Sequence, residues 1–94
     1  CGTQETAALA TARALVAAEA DGQAGHGLSR VPSYALQARS GKVNGSAVPR
    51  LARVAPAALR IDADFGFAYP AIDLAIGELA ALARAQGIAV AAIH

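Results

Sequence analysis

The feature that most constrains the fold is an uninterrupted apolar run at residues 88–93, preceded by a long amphipathic segment at residues 70–86. The run has the length of a strand and the composition of one buried on both faces of a sheet. The amphipathic segment begins at Pro70, is followed by Gly87 and repeats apolar residues at helical spacing, namely Ile72, Ala75, Ile76 and Leu79. A helix that leads into a buried strand predicts a crossover to a parallel neighbour.

Two shorter strands are predicted before this helix, at residues 48–54 and 57–63 on either side of Pro56. In the second strand apolar and charged residues alternate, as expected when one face meets water: Leu59, Arg60, Ile61 and Asp62. Residues 64–67 then form a turn. The predicted order in this half of the chain is β-β-α-β, which indicates an α/β fold.

The first half of the chain is predicted to be helical. An alanine-rich helix spans residues 3–20, with Thr3 or Thr6 available to cap its start and Asp21 and Gly22 to end it.

A second helix is predicted to begin near His26, with Pro32 in its first turn and Leu36 packed inward. We therefore expect two parts. A helical amino-terminal part at residues 1–46 carries a Gly-His-Gly motif, and residues 47–94 form the start of a truncated α/β domain.

The motif Gly25-His26-Gly27 exposes a histidine, because glycines lack the side chains that would shield it. If the second helix begins near His26, then His26, Arg30 and Tyr34 share one helix face. Imidazole exchanges a proton near neutral pH, and the planar guanidinium group matches a carboxylate. Together these three side chains suit the binding of a small acid with an adjacent carbonyl or hydroxyl group. Arg30 would hold the carboxylate, His26 would protonate the developing alkoxide, and Tyr34 would orient the acid or close the pocket.

Composition and charge argue against several classes of function. The net charge is +1, and the basic residues Arg50, Arg53 and Arg60 have no aromatic residue beside them, so they are interpreted as the solvent face of strands and not as a nucleic-acid site. No segment is long and apolar enough to cross a membrane. Two histidines with few acidic neighbours indicate no metal site, and no glycine-rich phosphate motif follows a strand.

Cys1 is the only cysteine, so no internal disulfide can form, which fits the reducing cytoplasm. The sequence contains no methionine and stops directly after a strand that needs partners on both sides, so we expect a piece of a longer chain. Within this piece alone, the apolar run at residues 88–93 would be exposed.

Several short blocks, taken together, resemble those of one enzyme family. They are Ala20-Asp21-Gly22, Gly25-His26-Gly27, Arg30, Tyr34, Gly41-Lys42-Val43-Asn44, and the segments at residues 61–67 and 86–90. In this order they look like the amino-terminal region of the malate/L-lactate dehydrogenases that do not use a Rossmann fold. That family includes ureidoglycolate, sulfolactate and diketogulonate dehydrogenases and an imine-acid reductase.

The resemblance implies a three-layer α/β/α domain with a mixed sheet, of which this chain supplies the opening. It also implies a cytoplasmic homodimer that interconverts 2-oxo acids and 2-hydroxy acids with NAD or NADP. The proton donor of the family's Ser-His-Gly motif corresponds to His26, and the carboxylate-binding arginine four residues later corresponds to Arg30. Tyr34 matches a position that lines the same pocket. The family's cofactor-binding segments lie beyond residue 94, so the fragment alone is expected to be inactive.

Two positions do not match the family pattern. Gly25 stands where the family has serine, which leaves substrate choice and rate open, and His94 does not align with a family histidine and receives no role. The residues also leave a different class of function open. In that alternative the chain is a non-catalytic α+β interaction or dimerisation module, and Gly25-His26-Gly27 is only a tight turn.

Overall fold

The computed structural model describes residues 2–94, and Cys1, on which the disulfide argument depends, lies outside the described residues. Two short 3-10 turns, Ala24–His26 and Leu28–Arg30, separate the first two helices. In chain order the helices and strands are α1 (Glu5–Ala20), α2 (Val31–Arg39), β1 (Arg50–Ala55), β2 (Ala58–Asp62), α3 (Ala68–Gln86) and β3 (Val90–Ile93).

The three strands form one mixed sheet in the order β1-β2-β3. β1 pairs antiparallel with β2, so that Leu51 lies opposite Ile61, and a register irregularity falls between Arg53 and Ala55. β3 pairs parallel with β2, with Ile93 beside Ile61, and α3 makes the crossover between them. The predicted β-β-α-β order and the mixed sheet are therefore confirmed.

The alternation in β2 decides which face of the sheet is covered. Leu59 and Ile61 are buried whereas Arg60 and Asp62 are exposed, as the sequence pattern predicts. Ile61 is fully buried in a cluster with two small residues of α3, Ala71 and Ala75, which allow the helix to approach the sheet closely. α3 also contacts α1, whose buried residues are Ala7, Ala10, Thr11 and Leu15.

A strained turn between β2 and α3 sets where that helix starts. Asp64 and Phe65 have φ angles of 52° and 57°, a left-handed backbone that costs energy for side-chain-bearing residues. Hydrogen bonds hold it: the Asp64 amide donates to the Asp62 carboxylate over 2.8 Å, and the Asn44 amide donates to the Phe65 carbonyl over 2.8 Å. At the other end, α3 stops at Gly87 as predicted, because Gly87 takes φ 86° and donates to the Ala83 carbonyl.

Two details of the helical half differ from the predictions. The residue at the N-cap of α1 is Gln4, not Thr3 or Thr6, and its amide donates to the Gly45 carbonyl over 2.7 Å, which fixes the start of the helix. Leu36 is 67% exposed, so its predicted inward packing is wrong. The half-buried residues of α2 include Tyr34 and Ala38, and Leu36 does not share their side of this short helix.

The other two strands are open to solvent. All six residues of β1 are exposed, and so is Arg60, in agreement with the predicted solvent positions of the arginines. In the β3 region Ile88, Val90 and Ile93 are exposed, as expected for this chain alone. Burial on both faces of β3 is not observed, because α3 packs against one face of the sheet, and β3 is also an edge strand here. None of the helices within residues 2–94 has the length and apolar character needed to span a membrane.

Candidate active site

The loop between α1 and α2 carries His26 at the end of the first 3-10 turn. Gly27 then takes φ −102° and ψ −136°, a non-helical conformation that interrupts the helical path. A second 3-10 turn follows, and α2 begins only at Val31. The predicted helix start near His26 is therefore wrong, and His26, Arg30 and Tyr34 do not form one face of one helix.

The His26 loop is attached to α1 through Glu19. The Glu19 Oε1 atom accepts a hydrogen bond of 3.0 Å from the Leu28 amide. Gly27 is buried against the same residue, and a Cβ atom at Gly27 would lie 2.8 Å from Glu19 Oε1 and 3.1 Å from its Cα. Only glycine therefore fits at position 27 without movement of α1. A Cβ at Gly25, by contrast, would meet nothing within 4 Å.

Two side chains of the second 3-10 turn close the loop on itself. The Ser29 hydroxyl donates to the Ala24 carbonyl over 2.6 Å, and Arg30 Nε donates to the Gly25 carbonyl over 2.7 Å. That carbonyl belongs to the peptide unit that joins Gly25 to His26, so the guanidinium lies against the backbone beside the histidine. The Nη groups of Arg30 and the imidazole of His26 make no hydrogen bond within residues 2–94, and both residues are exposed. A local hydrogen bond thus holds Arg30 against the backbone beside His26, in place of the predicted shared helix face.

Tyr34 belongs to an aromatic cluster that joins α2 to the start of α3. Its hydroxyl lies 3.2 Å from that of Tyr69, and its ring is tilted against Phe67 and Tyr69 with centroid distances of 5.5 and 6.4 Å. Three of the chain's four aromatic residues therefore come together, while Phe65 is 88% exposed. Tyr69 was not predicted as a site residue. The available signal was the spacing of Phe67 and Tyr69 directly after the turn that leads into α3.

The charge of Arg30 reaches this tyrosine pair. The hydrogen bond with Tyr34 is the main cause that raises the pKa of Tyr69 above its ordinary value of 10.0, and partial burial raises it further. The positive charge of Arg30 acts in the opposite direction and lowers the pKa, so the guanidinium lies within electrostatic range of the Tyr69 hydroxyl. The raised pKa keeps the Tyr69 phenol protonated at neutral pH, so it can donate a hydrogen bond.

An apolar cavity of about 180 Å³ lies between α1 and α2, on the same aromatic cluster. Its walls include Leu15, Val31, Tyr34 and Phe67, but neither His26 nor Arg30. Thr11 also lines it, and the buried Thr11 hydroxyl has no hydrogen-bond partner among the described residues. The apolar lining makes this cavity unsuited to a carboxylate, so the polar group around Arg30 is the better site for an acid.

Metal-ligating side chains and glycine-containing turns are the two features of the described residues that could mark a metal or phosphate site. Within residues 2–94, no three of the side chains that ligate metals come together. One glycine-containing turn does join a strand to a helix, between β2 and α3. Its Gly66 would place a Cβ 2.6 Å from that of Ala47, so the glycine serves close packing of the chain and not the approach of a phosphate. His94 continues the sheet through its backbone, with its amide donating to the Ile61 carbonyl, and no role is assigned to its side chain.

Comparisons with known proteins agree on one family. A family model described as malate/L-lactate dehydrogenase matches residues 1–94. The chain is 46% identical over 93 residues to a Delta(1)-pyrroline-2-carboxylate reductase of Ancylobacter novellus, covering 99% of the chain and 27% of that relative. It is 48% identical over 92 residues to a (2R)-3-sulfolactate dehydrogenase (NADP(+)) of Chromohalobacter salexigens, covering 98% of the chain and 27% of the relative.

The fold comparison gives the same result. The crystal structure of delta1-piperideine-2-carboxylate reductase from Pseudomonas syringae pv. tomato matches with a TM-score of 0.94 and 40% identity, over 99% of this chain and 28% of that one. The chain thus spans little more than a quarter of the length of the relatives it matches. The match over the whole chain and these identities establish that the chain belongs to the malate/L-lactate dehydrogenase family.

Proposed function

We propose that this chain is the amino-terminal part of an NAD(P)-dependent oxidoreductase that interconverts 2-oxo acids and 2-hydroxy acids. The observation that carries the proposal is the 2.7 Å hydrogen bond from Arg30 Nε to the Gly25 carbonyl. It uses the Nε donor to hold the guanidinium beside His26, and it leaves both Nη groups to form the paired hydrogen bonds that a carboxylate accepts. An acid bound there would lie next to the imidazole.

In this proposal His26 carries the proton. During reduction the carbonyl oxygen gains negative charge as the substrate carbon receives a hydride, and His26 donates the proton that neutralises it. In the reverse direction His26 accepts the proton from the hydroxyl group. Exposure of the imidazole and the lack of a bulky residue at Gly25 or Gly27 support access of the substrate to this side chain. NAD or NADP supplies the hydride chemistry when bound, and its site lies outside the residues described here.

Cyclic imine acids are a second candidate class of substrate. Five of the six relatives found carry pyrroline-2-carboxylate reductase in their names, including the one at 46% identity. Such an acid has the same plan as a 2-oxo acid, with a carboxylate next to an electrophilic carbon, except that nitrogen replaces the oxygen. Arg30 would bind the carboxylate in the same way, and His26 would hold or donate the proton on nitrogen.

Tyr34 completes the proposed acid site, and its hydroxyl is held by the pair with Tyr69, a residue that the charge of Arg30 also reaches. We also place the whole protein in the cytoplasm as a homodimer, as the family resemblance implies. The competing proposal is a non-catalytic α+β interaction or dimerisation module. In that case the loop contacts of Arg30 and Glu19 would serve only to hold the loop in place.

The experiment that tests the proposal is an assay of the full-length protein with NADH and with NADPH. The substrates are pyruvate, 3-sulfopyruvate and Δ1-pyrroline-2-carboxylate. Turnover is measured as the loss of reduced cofactor. We expect acid-dependent oxidation of at least one cofactor. No oxidation with any of the acids, from a protein that is folded, would favour the interaction module.

A further inference from the structure

The hydroxyls of Tyr34 and Tyr69 lie 3.2 Å apart, within electrostatic range of the proposed acid-binding Arg30, and only Tyr34 was expected in the site. We propose that Tyr69 is a positioning residue: its hydroxyl donates to the Tyr34 oxygen, so that the Tyr34 hydrogen points to the carboxylate held by Arg30. The inference rests on the proposed function, because it assumes that an acid binds at Arg30. It assigns substrate recognition to a residue of α3, which lies 35 positions after its partner in the chain.

The 3.2 Å distance between the two oxygens allows either hydroxyl to be the donor. Each phenol has one hydrogen to donate, so the direction of the bond decides which hydrogen remains for a ligand. The bond with Tyr34 is also the main cause that raises the pKa of Tyr69. In the proposed arrangement Tyr69 is the donor, which leaves the Tyr34 hydrogen available for a ligand.

The pair is held from two sides. Tyr69 is the second residue of α3 and precedes Pro70, so its backbone is fixed by the start of the helix and by the turn before it. Tyr34 lies on α2, and its ring contacts Phe67 at 5.5 Å. Because both rings are fixed, the hydroxyl pair does not have to be ordered when an acid binds, which reduces the entropic cost of binding.

Arg30 links the pair to the substrate. Its charge lowers the Tyr69 pKa, so the guanidinium lies near the pair, while its Nε is held by the Gly25 carbonyl. An anion attracted to the Nη groups would therefore lie close to the hydroxyls. A phenol that accepts one hydrogen bond also becomes a better donor in the next, so Tyr69 would strengthen the bond from Tyr34 to the carboxylate.

The test uses the full-length protein saturated with NADPH, with L-proline and L-prolinamide as probes. Proline is the reduced product of Δ1-pyrroline-2-carboxylate and does not react with NADPH, and prolinamide lacks the carboxylate charge. The variants are Tyr69→Phe, Tyr34→Phe and the double variant, which keep the rings and remove only hydroxyls. Binding is measured by calorimetry, KM and kcat are measured with Δ1-pyrroline-2-carboxylate, and folding is checked by thermal unfolding.

We expect Tyr34→Phe to weaken proline binding about tenfold, because a hydrogen bond to a charged group is lost. Tyr69→Phe should weaken proline binding about threefold, because the Tyr34 hydroxyl is then neither strengthened as a donor nor oriented toward the carboxylate. The double variant should bind like Tyr34→Phe, since Tyr69 acts only through Tyr34. Prolinamide binding should change less than about twofold, and KM should rise while kcat stays constant, as for lost binding that is equal in the ground and transition states.

Three outcomes overturn the inference. They are an unchanged affinity in Tyr69→Phe, an equal loss for proline and prolinamide, and independent losses that multiply in the double variant. The proposed function fails separately, if the wild-type protein binds proline but does not oxidise NADPH or NADH with any acid. A wild-type protein that binds neither proline nor the hydroxy acid product of an acid that it reduces contradicts the positioning role.

Discussion

Arg30 Nε donates a 2.7 Å hydrogen bond to the carbonyl oxygen of Gly25, the residue before His26. This bond joins the second 3-10 turn to the first and determines where the guanidinium lies relative to the histidine. It requires the Nε donor of arginine, because the flexible ammonium of lysine cannot bind the carbonyl and a carboxylate with the same planar group. Gly25, His26 and Arg30 therefore belong to one loop, which this hydrogen bond closes.

Arg30→Lys in the full-length protein is expected to raise KM for the acid substrate by about tenfold or more, because paired, charge-assisted hydrogen bonds are lost while the charge is kept. Arg39→Lys is the matched control, since Arg39 is exposed at the end of α2 and its side chain makes no hydrogen bond within residues 2–94. Steady-state kinetics measure both variants. Equal KM values for Arg30→Lys and the wild-type protein would exclude Arg30 from carboxylate binding.

Gly27→Ala is expected to destabilise the protein by about 1–3 kcal/mol, the usual cost of overpacking. The added Cβ would lie 3.1 Å from the Cα of Glu19, and backbone cannot move aside as easily as a flexible side chain. Gly25→Ala is the control, because a Cβ there meets nothing within 4 Å, and its effect should stay within about 0.5 kcal/mol. Denaturant unfolding gives both values, and equal stabilities of the two variants would contradict the packing of the loop on α1.

Thr11→Val is expected to stabilise the protein by about 1 kcal/mol. Thr11 is 8% exposed and its hydroxyl has no hydrogen-bond partner among the described residues, so it loses contact with water without compensation. Valine has nearly the same shape. Thr6→Val, at an exposed position of the same helix, should change the free energy of unfolding very little. A loss of stability in Thr11→Val would mean that the hydroxyl has a partner.

The contribution of Tyr69 to stability should depend on pH. Its pKa in the folded protein is raised above the ordinary value of 10.0, chiefly by the hydrogen bond with Tyr34, so the folded state holds this proton more tightly than the unfolded state. The contribution is therefore complete below about pH 10 and is lost as the pH rises through the raised pKa. The stability difference between the wild-type protein and Tyr69→Phe, measured by urea unfolding, should shrink from pH 9 to pH 11. A constant or growing difference would contradict this linkage.

The α/β half of the chain could be predicted because its signals are local. The alternation of Leu59 and Ile61 with charged residues gives the covered face of β2, and Gly87 marks the end of α3 through a backbone conformation that glycine adopts at low cost. The exposure of β1 was not evident, because an apolar and basic strand has the same pattern whether or not a further layer covers it.

The site was harder to predict because its contacts are not helical. A spacing of four residues suggests one helix face for His26 and Arg30, but that rule applies only where the backbone is helical, and the backbone at Gly27 is not helical. Tyr69 could not be connected to Tyr34 from sequence, because a tertiary contact over 35 residues leaves no periodic signal. The chemistry assigned to His26 and Arg30 thus follows from residue type, while their geometry follows from the loop.

The turnover of His26→Gln in the full-length protein is the most direct test of His26 as the proton donor. Glutamine keeps hydrogen-bonding capacity but cannot exchange a proton near neutral pH, and the exposed imidazole makes no hydrogen bond within residues 2–94, so folding should be preserved. We expect kcat to fall by about 10²–10⁴-fold with an unchanged unfolding transition. Turnover equal to that of the wild-type protein would contradict the assignment of His26 as the proton donor.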